Sequence, residues 1–124
     1  MRTNERPWTS FYDEGVPAAI DIPRISLVDL FIQSVRTWGE SVCTIFEGEV
    51  QTYNEINARS DIVARYLIAQ GLKKGQRVGL LLPNTPAFII SYFGILKAGG
   101  VVMAMNPNYR PAEVELLANE GLVV

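Results

Sequence analysis

The chain has 124 residues, with 11 basic and 13 acidic side chains, no histidine, one cysteine and 48% hydrophobic residues. That length suits one domain or part of one, large enough to bury a core, and a formal charge of −2 removes the electrostatic case for a nucleic-acid partner. Without histidine there can be no Ser-His-Asp or Cys-His catalysis and no imidazole-bound zinc.

Residues 1–25 carry Pro7, Pro17 and Pro23, with Trp8, Phe11, Tyr12 and Ile20 spaced irregularly. This pattern predicts an extended arm whose aromatic residues dock on the folded body. The first 17 residues are charged and lack the apolar stretch of a secretory signal. The longest apolar run, from Ala87 to Leu96, is too short to span a bilayer. Cys43 stands alone, without an intrachain disulfide partner or a CxxC motif, and reads as a small buried residue of a strand. A cytoplasmic setting is the expectation, with contact at a membrane surface left open.

Ser26 opens a helix with Asp29 three residues on, as in a capping box. Leu27, Leu30, Phe31, Val35 and Trp38 share its apolar face, and Gly39 marks its end. Val42 to Phe46 and Val50 to Tyr53 predict a hairpin around Glu47-Gly48-Glu49. Thr52 and Glu55 form a full T-x-x-E box for a helix that buries Ile56, Ser60, Val63, Ala64 and Leu67 and stops at Gly71. Beyond the polar turn at Lys73 to Gln76, residues Arg77 to Leu82 are continuously apolar at their end, the mark of a parallel strand covered on both faces.

Thr85 as N-cap and Pro86 at the first position start a helix, Ala87 to Ala98, that is apolar on nearly every side. Gly99-Gly100 ends it, and Val101 to Met105 is the next strand. A helix from about Pro111 to Asn119 follows, and Gly121 to Val124 predicts a third parallel strand. The fold class is therefore α/β: a short hairpin, then parallel βαβαβ layers. A helix apolar all round needs cover on several faces, and a chain ending inside a strand leaves an open edge. Both features predict the opening part of a larger domain, with residues 1–25 as an arm and 26–124 as an incomplete domain.

From Thr52 onward the order of residues resembles the N-terminal part of the adenylate-forming enzymes, which include acyl-CoA synthetases, luciferases and peptide-synthetase adenylation domains. The family's Thr-Tyr-x-Glu-Leu helix start is matched by Thr52-Tyr53-Asn54-Glu55-Ile56. Its Gly-Leu/Val-x-x-Gly-Asp-Arg-Val is matched by Gly71 to Val78, with Gln76 where Asp is usual. Pro83-Asn84, Leu96-Lys97-Ala98-Gly99, and Asn106-Pro107 with Tyr109 and Glu113 follow in order, although Arg110 lacks the usual capping hydroxyl. Upstream, Trp8, Tyr12, Gly15-Val16-Pro17, Ile20-Asp21 and Ser26 to Leu30 look like the leader of long-chain fatty acid–CoA ligases.

The resemblance implies a whole protein that uses ATP, Mg2+ and coenzyme A to convert a fatty or other carboxylic acid to an acyl-CoA, releasing AMP and pyrophosphate. It implies a phosphate loop with a lysine, a metal-binding glutamate, a ribose-binding aspartate and a lysine of a mobile C-terminal domain. None of these can be placed on this sequence, so no catalytic, cofactor-binding or metal residue is assigned in it. The isolated chain is then expected to be inactive, with the remainder of its own large domain as its partner. The alternative is a stand-alone, non-catalytic binding module of the same fold; a flavodoxin-like nucleotide binder lacks its glycine-rich strand-to-helix turn.

Several residues invite a functional reading and have a plainer one. Gly99-Gly100 ends a helix, whereas dinucleotide cradles open one. Asn84-Thr85-Pro86 stands where anions bind, at a helix N-terminus after a parallel strand, yet the favoured reading of Thr85 is an ordinary N-cap. Lys73 and Lys74 solvate a turn, Glu47 and Glu49 end a hairpin, and Asp13, Glu14, Glu113 and Glu115 are surface charge. Lys97 is expected to complement the helix C-terminus and extend toward solvent. Phe88, Tyr92 and Phe93 belong to the core.

Overall fold

A computed structural model describes residues 6–121. A short 3-10 helix, Pro7–Phe11, lies in the arm, where the Arg6 guanidinium donates to the Ala18 carbonyl at 3.2 Å. Helix α1, Leu27–Trp38, leads to the strands β1, Val42–Phe46, and β2, Glu49–Thr52. Helix α2, Tyr53–Ala69, strand β3, Arg77–Leu80, helix α3, Pro86–Lys97, strand β4, Val101–Ala104, and helix α4, Pro111–Gly121, follow. Strands β1 and β2 pair antiparallel, while β3 and β4 pair parallel in the register Arg77↔Val101 to Leu80↔Ala104.

Local chemistry accounts for these boundaries. Ser26 Oγ accepts from the Asp29 amide at 3.0 Å, as its spacing predicts. The box at α2 closes in both directions: Thr52 Oγ1 accepts from the Glu55 amide at 3.2 Å, and the Thr52 amide donates to the Glu55 carboxylate at 2.7 Å. The hairpin turn has Glu47 at φ 50° and Gly48 at φ 87°, the primed geometry that matches strand twist. After α3, Gly99 takes φ 82° and donates to the Leu96 carbonyl, while Gly100 donates to that of Ile95. Those two bonds are a Schellman motif, and Gly71 and Leu72 repeat it after α2.

Four expectations are corrected. Gly39 does not end α1 in a left-handed conformation; it is right-handed at φ −52°, and a Cβ there would stand 2.6 Å from Asn54 Oδ1. The position is crowded only by the Asn54 side chain, not set by turn geometry. Strand β3 stops at Leu80 because its partner β4 stops at Ala104, with Met105 donating the last bond to the Leu80 carbonyl at 3.0 Å. Only Leu80 of that strand is buried, so cover on both faces is not reached. Gly121 closes α4 rather than opening a strand; the rest of the expected third strand lies outside the described residues. Finally, Trp8, Phe11 and Tyr12 remain exposed, Phe11 at 87%, so the arm's aromatics do not dock on the described body.

The core sits between α2 and α3, with Ile56 and Ile95 almost fully buried. Helix α3 rests against β3 and β4 on one side and reaches α1 through Phe93, whose ring stacks on Phe31 with centroids 4.0 Å apart.

Candidate functional site

The seam between α2 and α3 is built around two residues of α3, Gly94 and Lys97. Gly94 is buried in the middle of α3, where glycine costs about 1 kcal/mol relative to alanine. A Cβ on it would lie 2.6 Å from Val63 Cβ and 3.1 Å from the Ser60 carbonyl oxygen. Glycine is therefore what lets the helices touch. Lys97 is the second. It does not extend toward solvent: its side chain is only 9% exposed. From the end of α3 it turns onto the N-terminal half of α2 and donates to Asn57 Oδ1, Ser60 Oγ and Asp61 Oδ1, each at 2.7 Å, and more weakly to the Asn57 carbonyl at 3.3 Å.

These acceptors satisfy all the N–H donors of an ammonium. Ser60 in turn donates to the Asn57 carbonyl at 2.8 Å, which accounts for a hydroxyl on the buried face of α2. The Phe31 ring lies 5.4 Å from Lys97 Nζ and adds a cation–π contact. The sequence held a signal for this pairing: Ser60 is the polar misfit on one apolar face and Lys97 is the only charge in α3. The seam is a structural clamp, with every polar partner internal.

A different surface runs along the N-terminal half of α3. A groove of about 370 Å³ lies between β1 and the start of α3, lined by Thr44, Ile45, Phe46, Asn84, Thr85, Pro86, Phe88 and Ile89. A second of about 250 Å³ continues it past Tyr92 and Phe93 to Leu27 and shares Phe88 and Ile89. Together they make one trough without a charged lining residue. Thr85 occupies the N-cap of α3, as expected, but its side chain makes no capping bond. The hydroxyl of Thr44 and the Oε1 atom of Gln51 are buried without a hydrogen-bond partner. These two residues face each other across the hairpin, and Gln51 is only 8% exposed.

The other residues singled out in the sequence do not converge. Cys43 is half-buried, not buried, and sits at a bulge where the pairing passes from Val42↔Thr52 to Thr44↔Gln51. Burial pushes its thiol pKa up, which disfavours the nucleophilic thiolate. Glu113, expected to be idle surface charge, accepts from the Arg110 amide at 2.7 Å and so helps cap α4 despite the missing hydroxyl. Among the described residues no three His, Cys, Asp or Glu side chains come together as a metal-holding group.

A model of the family described as AMP-binding enzyme matches residues 31–123. The chain belongs to the AMP-binding enzyme family. Among its curated relatives is a long-chain-fatty-acid–CoA ligase of Escherichia coli, 40% identical over 119 residues that cover 94% of this chain and 21% of the relative. A ligase of the same name from Bacillus subtilis is 33% identical, covering 97% of this chain and 21% of the relative. The chain thus spans about a fifth of the length of these AMP-binding relatives. Among solved structures, the anthranilate CoA ligase AuaEII in complex with anthranoyl-AMP superposes with a TM-score of 0.76 at 21% identity, covering 82% of this chain and 20% of that one. The N-terminal subdomain of Klebsiella oxytoca NpsA gives 0.75 at 21% identity, covering 79% and 25%. The fold is that of part of the N-terminal subdomain of the adenylate-forming enzymes. Within the described residues, no helix is long and apolar enough to cross a membrane.

Proposed function

We propose that this chain is the opening structural layer of an AMP-forming acid–CoA ligase that acts on fatty acids. The reading is carried by the 40% identity to a long-chain-fatty-acid–CoA ligase over 94% of the chain. In the reaction proposed for the whole protein, a carboxylate oxygen of the acid bonds to the α-phosphorus of ATP and pyrophosphate leaves. The thiol sulfur of coenzyme A then bonds to the acyl carbon, and AMP leaves. Such chemistry depends on positioning and on neutralising phosphate charge. The clamp of Lys97 on α2 and the parallel pair β3–β4 contribute a rigid platform to it, not reacting groups. By itself the 124-residue chain is proposed to be inactive, with residues 1–25 as an arm. Its setting is proposed to be the cytoplasm, in keeping with a single cysteine outside any CxxC motif.

The test is to express the complete reading frame that carries this chain and to measure pyrophosphate release from ATP with a panel of fatty acids. Acid-dependent release by the complete product, and none by residues 1–124 alone, is the expected result. A complete product without acid-dependent release overturns the reading. So does a frame that stops at Val124 and yields a monomer with a sharp two-state melt, which would favour the stand-alone module.

A further inference from the structure

We infer that copies of this protein associate through a helix-on-helix contact, in which the arginine-flanked outer face of α2 on one copy meets the glutamate-flanked outer face of α4 on another. The inference goes beyond the ligase reading and concerns no reacting group. Helix α2 buries Ile56, Ser60 and Ala64 and turns Ile62 and Tyr66 outward, 59% and 62% exposed. On α4, Val114 and Leu117 are half-buried, whereas Leu116 points away from them and is 57% exposed.

Charge selects this pairing. Arg59 and Arg65 are exposed and straddle Ile62, while Glu115 and Glu120 are exposed and bracket Leu116. The spans match: at about 1.5 Å per residue, the arginines stand about 9 Å apart along α2 and the glutamates about 7.5 Å apart along α4. The neighbouring carboxylates are engaged. Asp61 holds Lys97 in the one ion pair among the described residues, Glu55 closes the capping box, and Glu113 accepts from the Arg110 amide. Arg59 feels the Glu55 charge one turn away without reaching ion-pair distance. Within the described residues, Arg59, Arg65, Glu115 and Glu120 therefore have no ion-pair partner, and one helix presents positive charge where the other presents negative. Pairing α2 with a second α2 sets arginine against arginine, and α4 with a second α4 sets glutamate against glutamate, so only the mixed pair is attractive. In that pair Ile62 and Tyr66 cover Leu116, and all three lose contact with water.

Sedimentation of the complete product of the reading frame tests the pairing. The contact is small beside the roughly 1,200–2,000 Å² of a stable complex, so weight-average mass is followed into the hundreds of micromolar. The expected mass rises with concentration at about 0.1 M salt and rises far less at about 1 M, where the screening length falls from about 10 Å to about 3 Å. Two charge-reversed proteins are compared with the parent: Arg59→Glu with Arg65→Glu, and Glu115→Arg with Glu120→Arg. All four positions are exposed and both residue types favour helix, so the fold is kept. Each reversed protein alone sets like charges face to face and should associate at least about tenfold more weakly than the parent. An equimolar mixture of the two should associate again, because every reversed face then meets its opposite. That result holds for a reciprocal dimer and for a head-to-tail chain alike. A parent that stays monomeric, reversed proteins that associate as the parent does, or a mixture that stays apart overturns the inference. Pyrophosphate release tests the ligase reading separately, and each can fail while the other stands.

Discussion

Helix α3 presents two faces of opposite character. Toward α2 it is closed: Gly94 admits Val63 to van der Waals contact, and Lys97 is buried with its donors on Asn57, Ser60 and Asp61. Toward β1 and the start of α1 it is open, with an uncharged trough. The contrast shows that apolar sequence by itself does not distinguish an internal seam from an external one. The polar partners do: the seam toward α2 pairs its buried ammonium fully.

Substitutions at the closed face sharpen this contrast most. Lys97→Met keeps the volume and removes the ammonium, stranding the Ser60 and Asn57 acceptors. By the scale of charged and buried hydrogen bonds it should cost about 2–4 kcal/mol in denaturant unfolding. Asp61→Asn should cost less, because Asp61 is 46% exposed and water screens or replaces its share. An unchanged midpoint for Lys97→Met would mean that the clamp does not hold the helices.

Gly94→Ala comes next. Helix propensity favours the change by about 1 kcal/mol, but a Cβ 2.6 Å from Val63 forces the helices apart. Overpacking of this kind costs about 1–3 kcal/mol, so a net loss of stability is expected. A gain would show that the seam yields easily and is not closely packed.

The capping box should have a smaller effect. Thr52→Ala is expected to cost about 1 kcal/mol. The Thr52 amide, and then its hydroxyl, hold the Glu55 carboxyl below its ordinary pKa. A group whose pKa is lowered on folding stabilises above its unfolded pKa and loses that contribution as pH falls through the folded value. The contribution is therefore complete at neutral pH and fades only below the usual carboxylate range. A carboxyl-resolved NMR titration should find Glu55 titrating low in the parent and less so, though still below its ordinary position, in Thr52→Ala, which keeps the backbone amide but loses the hydroxyl; coincident titrations would contradict a part for the hydroxyl.

The smallest effect belongs to the open face. Ile45→Asp should change the stability of the isolated chain by no more than about 0.5 kcal/mol, as expected of an exposed position, while reducing its binding of a hydrophobic dye. A loss as large as that of Lys97→Met would erase the distinction between the two faces.

The sequence revealed most where the signal was local. Ser26, Thr52 with Glu55, Gly71 and Gly99 each specify a helix boundary by a bond made within a few residues, and the structure contains those bonds. The motifs from Thr52 to Glu113 were also legible because they are ordered along the chain. What remained hidden depended on neighbours distant in sequence. The fate of Lys97 was set by α2 residues 36 to 40 positions away, and the crowding at Gly39 came from the Asn54 side chain. The end of β3 followed from the length of β4. Phe88, Tyr92 and Phe93 were legible as apolar but not as the wall of an open trough, since periodicity does not say which element covers a face.

The most direct measurement is acid-dependent pyrophosphate release from ATP by the complete product of the reading frame that carries this chain. Release that rises with added fatty acid, and is absent from residues 1–124 alone, is the outcome expected of an acid–CoA ligase whose first layers are described above. A folded complete product that releases no pyrophosphate with any carboxylic acid would contradict the account.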